Sequence, residues 1–93
     1  MVTIEFKSYP EIFLKEKDGR KPNTFRLVDN HDIRFEKLGM FNKITDKFFI
    51  GITNTETSEK FYREITDVTF YNGYVIISWR HKNEWLHDLR TSW

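Results

Sequence analysis

The chain of 93 residues predicts a small α+β domain. We expect a curled antiparallel sheet or open β-barrel, with one short N-terminal helix and a short C-terminal helical turn. Segments of alternating apolar and polar residues recur along the chain and are separated by turn-forming clusters, which is typical of half-buried strands. The chain is also too short for two layers of sheet with flanking helices, so we expect a single domain over residues 1–93.

A strand and a helix are predicted at the N-terminus. Residues 2–7 alternate strictly between apolar and polar, which indicates a strand with one buried face. Pro10 suits the first turn of a helix and Gly19 suits a left-handed stop, so we expect a helix over 10–18. The side chains that this helix is expected to bury are Ile12, Phe13 and Leu14.

The remaining chain predicts mainly extended segments joined by turns. The expected segments are 23–28, a short piece at 33–35, 46–53, 59–65 and the two arms of a hairpin over 65–80. The hairpin is predicted to turn at Asn72 and Gly73, because this dipeptide favours the positive φ angles of a type I′ turn. Asn83 is a candidate N-cap for the C-terminal helical turn, in which Trp85, Leu86 and Leu89 have helical spacing.

Aromatic residues make up 17% of the chain, and three groups of them have expected roles. Six are expected in the core: Phe6, Phe13, Phe25, Phe48, Phe61 and Phe70. Tyr62 and Tyr74 share predicted strands with basic residues, so they are candidates for stacking on the bases of a single-stranded nucleic acid. Trp79, Trp85 and Trp93 are candidates for a protein interface, with closure of the barrel end as the alternative for Trp79 and Trp85.

Composition and charge exclude several classes of function. Fifteen basic and fourteen acidic residues leave a net charge of +1, so any nucleic-acid surface must be a local patch. No cysteine is present, and the three histidines have no spacing typical of metal ligands, so we expect no metal and no cofactor. The N-terminus has no signal-like apolar stretch, which favours a cytoplasmic protein without membrane contact. The sequence contains no Ala and is rich in Lys and Ile. This composition is typical of proteins encoded by a low-GC bacterium or its phage.

One motif carries candidate chemistry. Residues 19–26 have the pattern Gly-x-Lys-x-x-Thr-x-Arg at the predicted junction between the helix and the second strand. Thr24 and Arg26 lie on the same face of that strand, because side chains repeat every second residue, and Lys21 precedes them closely. An ammonium, a hydroxyl and a guanidinium at one spot suit a phosphate, a carboxylate or a base edge.

This motif resembles the signature of the ASCH domains, a branch of the PUA-like barrel superfamily associated with RNA. The preceding helix also resembles that family, since it begins near Pro10 and Phe13 follows, and the resemblance covers residues 3–70. Some ASCH-like proteins are amidohydrolases that remove an acyl group from modified cytidine. The resemblance implies Lys21 and Thr24 as the catalytic pair of such an enzyme, with a distal carboxylate. Downstream candidates for that carboxylate are Glu56, Glu59, Glu64 and Glu84.

Three hypotheses for function follow. The leading one is an ASCH-like binding protein with RNA or a nucleotide-like ligand in a pocket at the helix-to-strand junction. Its ligand-binding residues are Lys21, Thr24, Arg26, Tyr62 and Tyr74. The second is an amidohydrolase acting on acylated cytidine, with Lys21 and Thr24 as catalytic residues. The third is a phage-type accessory protein that inhibits a host or defence protein through Trp79, Trp85 and Trp93.

Overall fold

The computed structural model of the chain describes residues 2–81. The elements are β1 (Val2–Ser8), α1 (Pro10–Asp18), β2 (Asn23–Leu27), α2 (Ile33–Gly39), β3 (Phe48–Asn54), β4 (Lys60–Tyr71) and β5 (Tyr74–Trp79). The predicted α+β class is therefore confirmed. The helical turn expected after Asn83 lies outside the described residues.

The strands form a curled, half-barrel sheet in the order β1-β3-β4-β5-β2. The curl was predicted, and three of the four strand pairs within residues 2–81 are antiparallel, as expected. The β1 and β3 strands are parallel, so the sheet is mixed rather than purely antiparallel. A long crossover containing α1, β2 and α2 separates β1 from β3, and such a crossover returns the chain in the same direction.

The α1 helix begins at Pro10 and is followed by Gly19 with φ 92°, as predicted from the sequence. Its buried residues are Phe13 and Glu16, which lie three positions apart and therefore share one face of the helix. Ile12 and Leu14 are 42% and 54% exposed, so the prediction that they are buried is wrong. A nine-residue helix presents only one narrow face to the sheet, and an acidic residue occupies part of that face.

The α2 helix replaces the extended piece predicted at 33–35. Asp32 is its N-cap, and the Asp32 side chain accepts a hydrogen bond from the backbone N–H of Arg34 at 2.9 Å. Phe35 and Leu38, spaced by three residues, are the buried side chains of this helix. The prediction failed because Asp32 was assigned to a turn, whereas it begins a helix.

The face of β2 that lies against the core is the face with polar residues. Its apolar residues lie on the other face. Thr24 is 3% exposed, whereas Phe25 and Leu27 are 61% and 67% exposed. Thr24 and Arg26 pair with Ile77 and Val75 of β5, which are fully buried, and so point to the inside of the curled sheet. The prediction that Phe25 belongs to the core is therefore wrong.

The hairpin over 65–80 turns at Asn72 and Gly73, with φ angles of 51° and 77°. These positive φ values are those of a type I′ turn, so this prediction is confirmed. The segments predicted separately as 59–65 and as the first hairpin arm form one strand, β4, because the chain passes a register shift between Ile65 and Asp67 without ending.

The core lies inside the curl of the sheet, under α1 and α2. Four of the six predicted phenylalanines belong to it: Phe6, Phe13, Phe48 and Phe61. Phe25 and Phe70 are exposed instead, Phe70 by 46%. Trp79 is 4% exposed and its ring lies 6.3 Å from that of Phe61. Within residues 2–81, neither helix is long and apolar enough to cross a bilayer.

Candidate functional site

A cleft of about 520 Å³ lies where α1, β2 and the end of β1 meet. We call it the junction cleft. Residues that line it include Lys7, Ser8, Tyr9, Lys21, Thr24 and Arg26. The structure thus brings three residues of the sequence motif to one site, together with residues from β1 that are far away in the sequence.

The helix end and the start of β2 position the motif. The left-handed Gly19 ends α1, and the chain then folds back so that the N–H of Lys21 donates to the carbonyl of Lys15 at 2.9 Å. The Lys21 side chain therefore lies beside the last turn of the helix. The two-residue period of β2 places Thr24 and Arg26 on its inner face, next to that side chain.

Lys21 is held at the wall of the cleft by one carbonyl and one carboxylate. Its Nζ donates to the carbonyl of Asn23 at 2.8 Å and lies 3.8 Å from Oε2 of Glu16. Desolvation by burial lowers the pKa of Lys21, Glu16 opposes this change, and the positive charge of Arg26 adds to it. An anionic ligand beside this ammonium would stabilise its charged form, because the ligand compensates for the solvation that burial removes.

Arg26 is a bridge between β2 and β1. Its Nη1 donates to the carbonyl of Lys7 at 2.8 Å, and its Nη2 donates to Oγ of Ser8 at 3.0 Å. Its Nε donates to Oγ1 of Thr24 at 3.0 Å, and the guanidinium lies 4.7 Å from the ring centre of Phe6. A guanidinium has five N–H groups, so two remain for a ligand after these three bonds.

The charge of Arg26 persists despite its burial. Desolvation lowers its pKa, Glu16 opposes the change, and Arg34 adds to it. The ordinary pKa of a guanidinium lies so far above neutrality that the group stays protonated. Arg26 is therefore a permanent cation on the wall of the junction cleft.

Thr24 supports Arg26 rather than facing solvent. Its side chain is buried, and its hydroxyl oxygen accepts the Nε–H of Arg26. This hydrogen bond fixes the plane of the guanidinium, because Nε lies in that plane. Of Thr24 and Arg26, the guanidinium of Arg26 is therefore the group available to a ligand.

The junction cleft is strongly positive for a chain with a net charge of +1. Lys7, Lys21 and Arg26 line it, and no carboxylate among residues 2–81 does. Glu16 lies behind Lys21 with its side chain fully buried, and neither of its oxygens forms a hydrogen bond within the described chain. The carboxyl group beside Lys21 thus lies behind the cleft wall and not on the cleft surface.

Sequence reasoning missed Glu16, Lys7 and Tyr9. Glu16 follows Phe13 by three positions, so helical periodicity placed it on the buried face, but a glutamate is ordinarily assigned to solvent. Lys7 and Tyr9 come from the end of β1, and only the tertiary structure brings them to β2. No local pattern in the sequence indicates their proximity.

Exposed rings border the junction cleft. Tyr9 and Phe25 line it and are 73% and 61% exposed. The ring of Tyr74, predicted as a stacking residue, lies 6.4 Å from that of Phe25. Tyr62, the other predicted stacking residue, does not line this cleft and lies instead near Lys60, whose Nζ is 5.6 Å from its ring centre.

A second cleft, of about 760 Å³, lies on the other side of Arg26 between β1 and α2. We call it the seam cleft. Arg34 of α2 donates to the carbonyl of Glu5 at 2.6 Å, as Arg26 does to that of Lys7, so two arginines cover the outer edge of β1. The Arg34 guanidinium lies 4.4 Å from the ring centre of Phe6, which Arg26 also contacts.

Other predicted site residues lie elsewhere. Glu56, Glu59 and Glu64 do not line the junction cleft, and Glu59 forms an ion pair with Lys17. Trp79 packs in the core, so its ring is not presented to a partner. The remaining candidates, Glu84, Trp85 and Trp93, lie outside the described residues.

Comparison with known proteins adds no assignment. No family model matches this chain, and a comparison with curated proteins gives no match.

Proposed function

We propose that this protein binds RNA or a nucleotide-like ligand by holding phosphate in the junction cleft. The observation that carries the proposal is the charge of the cleft, which has three cationic side chains on its walls and no lining carboxylate among residues 2–81. An anion entering this cleft replaces the solvation that Lys21 and Arg26 have lost by burial.

The donors and rings of the cleft suit a nucleotide in particular. Arg26 has two N–H groups outside its three hydrogen bonds, one on each Nη, and these can donate to phosphate oxygens. Lys7 and Lys21 add ammonium groups on flexible stems. Tyr9 and Phe25 are exposed beside these cations and offer faces on which a base can stack.

The experiment that tests this function compares Lys21→Ala with Lys47→Ala in binding to an octauridylate. Both changes remove one lysine charge, but Lys47 is exposed and lines neither cleft. We expect Lys21→Ala to weaken binding about tenfold, and to reduce the slope of log affinity against log salt by about 0.7, because one phosphate contact is lost. Lys47→Ala should leave both quantities close to wild type. Fluorescence anisotropy at several salt concentrations measures them.

Equal losses in the two variants would mean that only net charge matters, and would contradict a site in the junction cleft. Circular dichroism of both variants controls for folding. The control matters most for Lys21→Ala, because this change also removes the hydrogen bond from Lys21 to the carbonyl of Asn23.

Amidohydrolase activity on acylated cytidine is a second candidate, favoured by one observation. Glu16 lies 3.8 Å from Lys21, so a lysine, a threonine and a carboxylate occur together, with the carboxylate on α1 instead of downstream. The buried Thr24 and its hydrogen bond from Arg26 favour binding over nucleophilic attack. Incubation of the wild type and Thr24→Val with N4-acetylcytidine, followed by mass spectrometry, separates the two functions. Turnover by the wild type that Thr24→Val abolishes would establish the enzyme.

A further inference from the structure

We infer that the ligand is a single strand of nucleic acid longer than one nucleotide, which runs from the junction cleft across Arg26 into the seam cleft. This inference rests on the proposed function and specifies its ligand. A mononucleotide would fill one cleft only, whereas the two clefts, the cations between them and the rings at their outer ends form one continuous track.

The two clefts adjoin along β1. Lys7 and Arg26 line both of them, so a ligand that leaves one cleft past Arg26 enters the other. Arg34 lines the seam cleft and, like Arg26, uses three of its five N–H groups on Asp32 and the carbonyl of Glu5. Each arginine therefore keeps two N–H groups for successive phosphates.

The cations of the seam cleft continue the positive surface. They are Lys7, Arg26, Arg34 and Lys60, and the lining carboxylates are Glu5, Asp29 and Asp32. Two of these carboxylates are already paired, Glu5 with Lys60 and Asp32 with Arg34. Lys7 forms no ion pair within residues 2–81, and it lies at the boundary between the clefts. Arg26 and Asp29 form no ion pair within these residues either, so the unpaired lining charges are two cations, both shared by the two clefts, and one carboxylate.

Exposed aromatic rings lie at both ends of the track. Phe25 and Tyr74 form the end next to the junction cleft. Tyr62 forms the other end, 48% exposed and beside Lys60 of the seam cleft. Rings at two different places along a strand can stack on different bases, and only unpaired bases expose the faces that stacking requires. The arrangement therefore favours a single strand over a duplex.

The test measures affinity for uridine monophosphate and for the dimer, tetramer and octamer, with wild type, Lys60→Ala, Tyr62→Ala and Lys47→Ala. We expect affinity to rise with length for the wild type. Tyr62→Ala should reduce octamer affinity about tenfold, since loss of one stacked base has about that effect, without changing mononucleotide affinity. Lys60→Ala should act in the same length-dependent way, and Lys47→Ala should have no effect at any length.

The inference is overturned if Tyr62→Ala and Lys60→Ala bind the octamer as tightly as wild type while Lys21→Ala binds it more weakly. In that case the junction cleft is a mononucleotide site and the proposed function stands. Binding of a duplex as tightly as the octamer also overturns it. No binding of any probe by the wild type overturns both this inference and the proposed function. Oligodeoxyuridylates of the same lengths, measured in parallel, identify RNA or DNA as the strand.

Discussion

Replacing Arg26 by alanine is expected to weaken octauridylate binding about a hundredfold and to lower the free energy of unfolding by about 2–3 kcal/mol. Binding falls because Arg26 lines both clefts. Stability falls because the guanidinium forms three hydrogen bonds, two of them to β1, and its loss leaves the buried Thr24 hydroxyl without this donor. Anisotropy and urea denaturation measure the two effects.

Arg26→Lys is the matched control, because it keeps the charge and loses the planar set of donors. An ammonium cannot reach the carbonyl of Lys7 and the hydroxyls of Ser8 and Thr24 in the geometry of the guanidinium. We expect this variant to lose stability much as Arg26→Ala does, while retaining more of the binding. If Arg26→Ala bound octauridylate as tightly as wild type, Arg26 would be only a structural bridge, and the phosphate site would be wrong.

Replacing Phe13 by alanine is expected to cost about 3–5 kcal/mol of unfolding free energy, because it leaves a cavity in the core. The Phe13 side chain is fully buried, and its ring lies 5.3 Å from that of Phe61. A small domain has about 5–15 kcal/mol of total stability, so this variant should lose a large part of it. Urea denaturation followed by tryptophan fluorescence measures the loss.

Leu14→Ala is the control for Phe13→Ala, since Leu14 is the next residue of the same helix and is 54% exposed. We expect it to change stability by about 0.5 kcal/mol or less, as surface substitutions usually do. Comparable losses in the two variants would show that α1 packs on a different face from the one described.

The sequence predicted those parts of the fold that depend on local chemistry. Asn72 and Gly73 favour a particular turn by their own backbone preferences, and Pro10 and Gly19 bound α1 in the same way. The parallel pairing of β1 with β3 depends on a crossover, and the two-residue period of side chains does not itself give the direction of the neighbouring strand.

The inward face of β2 was also beyond sequence reasoning. Alternation predicts two faces but not which one is buried, and the apolar Phe25 and Leu27 favoured the wrong one. The inner face is occupied by Thr24 and Arg26. Thr24 accepts a hydrogen bond from Arg26 within β2, and Arg26 donates two more to Lys7 and Ser8 of β1. Partners of this kind lie far apart in the sequence, and no local pattern reveals them.

The candidate site was predictable only where its residues are close in sequence. The motif spacing places Lys21, Thr24 and Arg26 together, since it spans one helix end and one strand start. Lys7, the third cationic residue of the junction cleft, and the buried Glu16 behind Lys21 were identified only from the tertiary structure. The seam cleft was not predicted at all, because it depends on Arg34 and on an α2 helix that the sequence pattern did not indicate.

The most direct test of the account is a nuclear magnetic resonance titration of the labelled protein with octauridylate. Backbone amide shifts report where the strand lies without any change to the protein. We expect the largest changes at residues 7–9 and 21–26, which form the junction cleft, with none in the distant loop 40–47. Changes confined to loop 40–47, or saturating octauridylate without any change at residues 7–9 and 21–26, would contradict phosphate binding in the junction cleft.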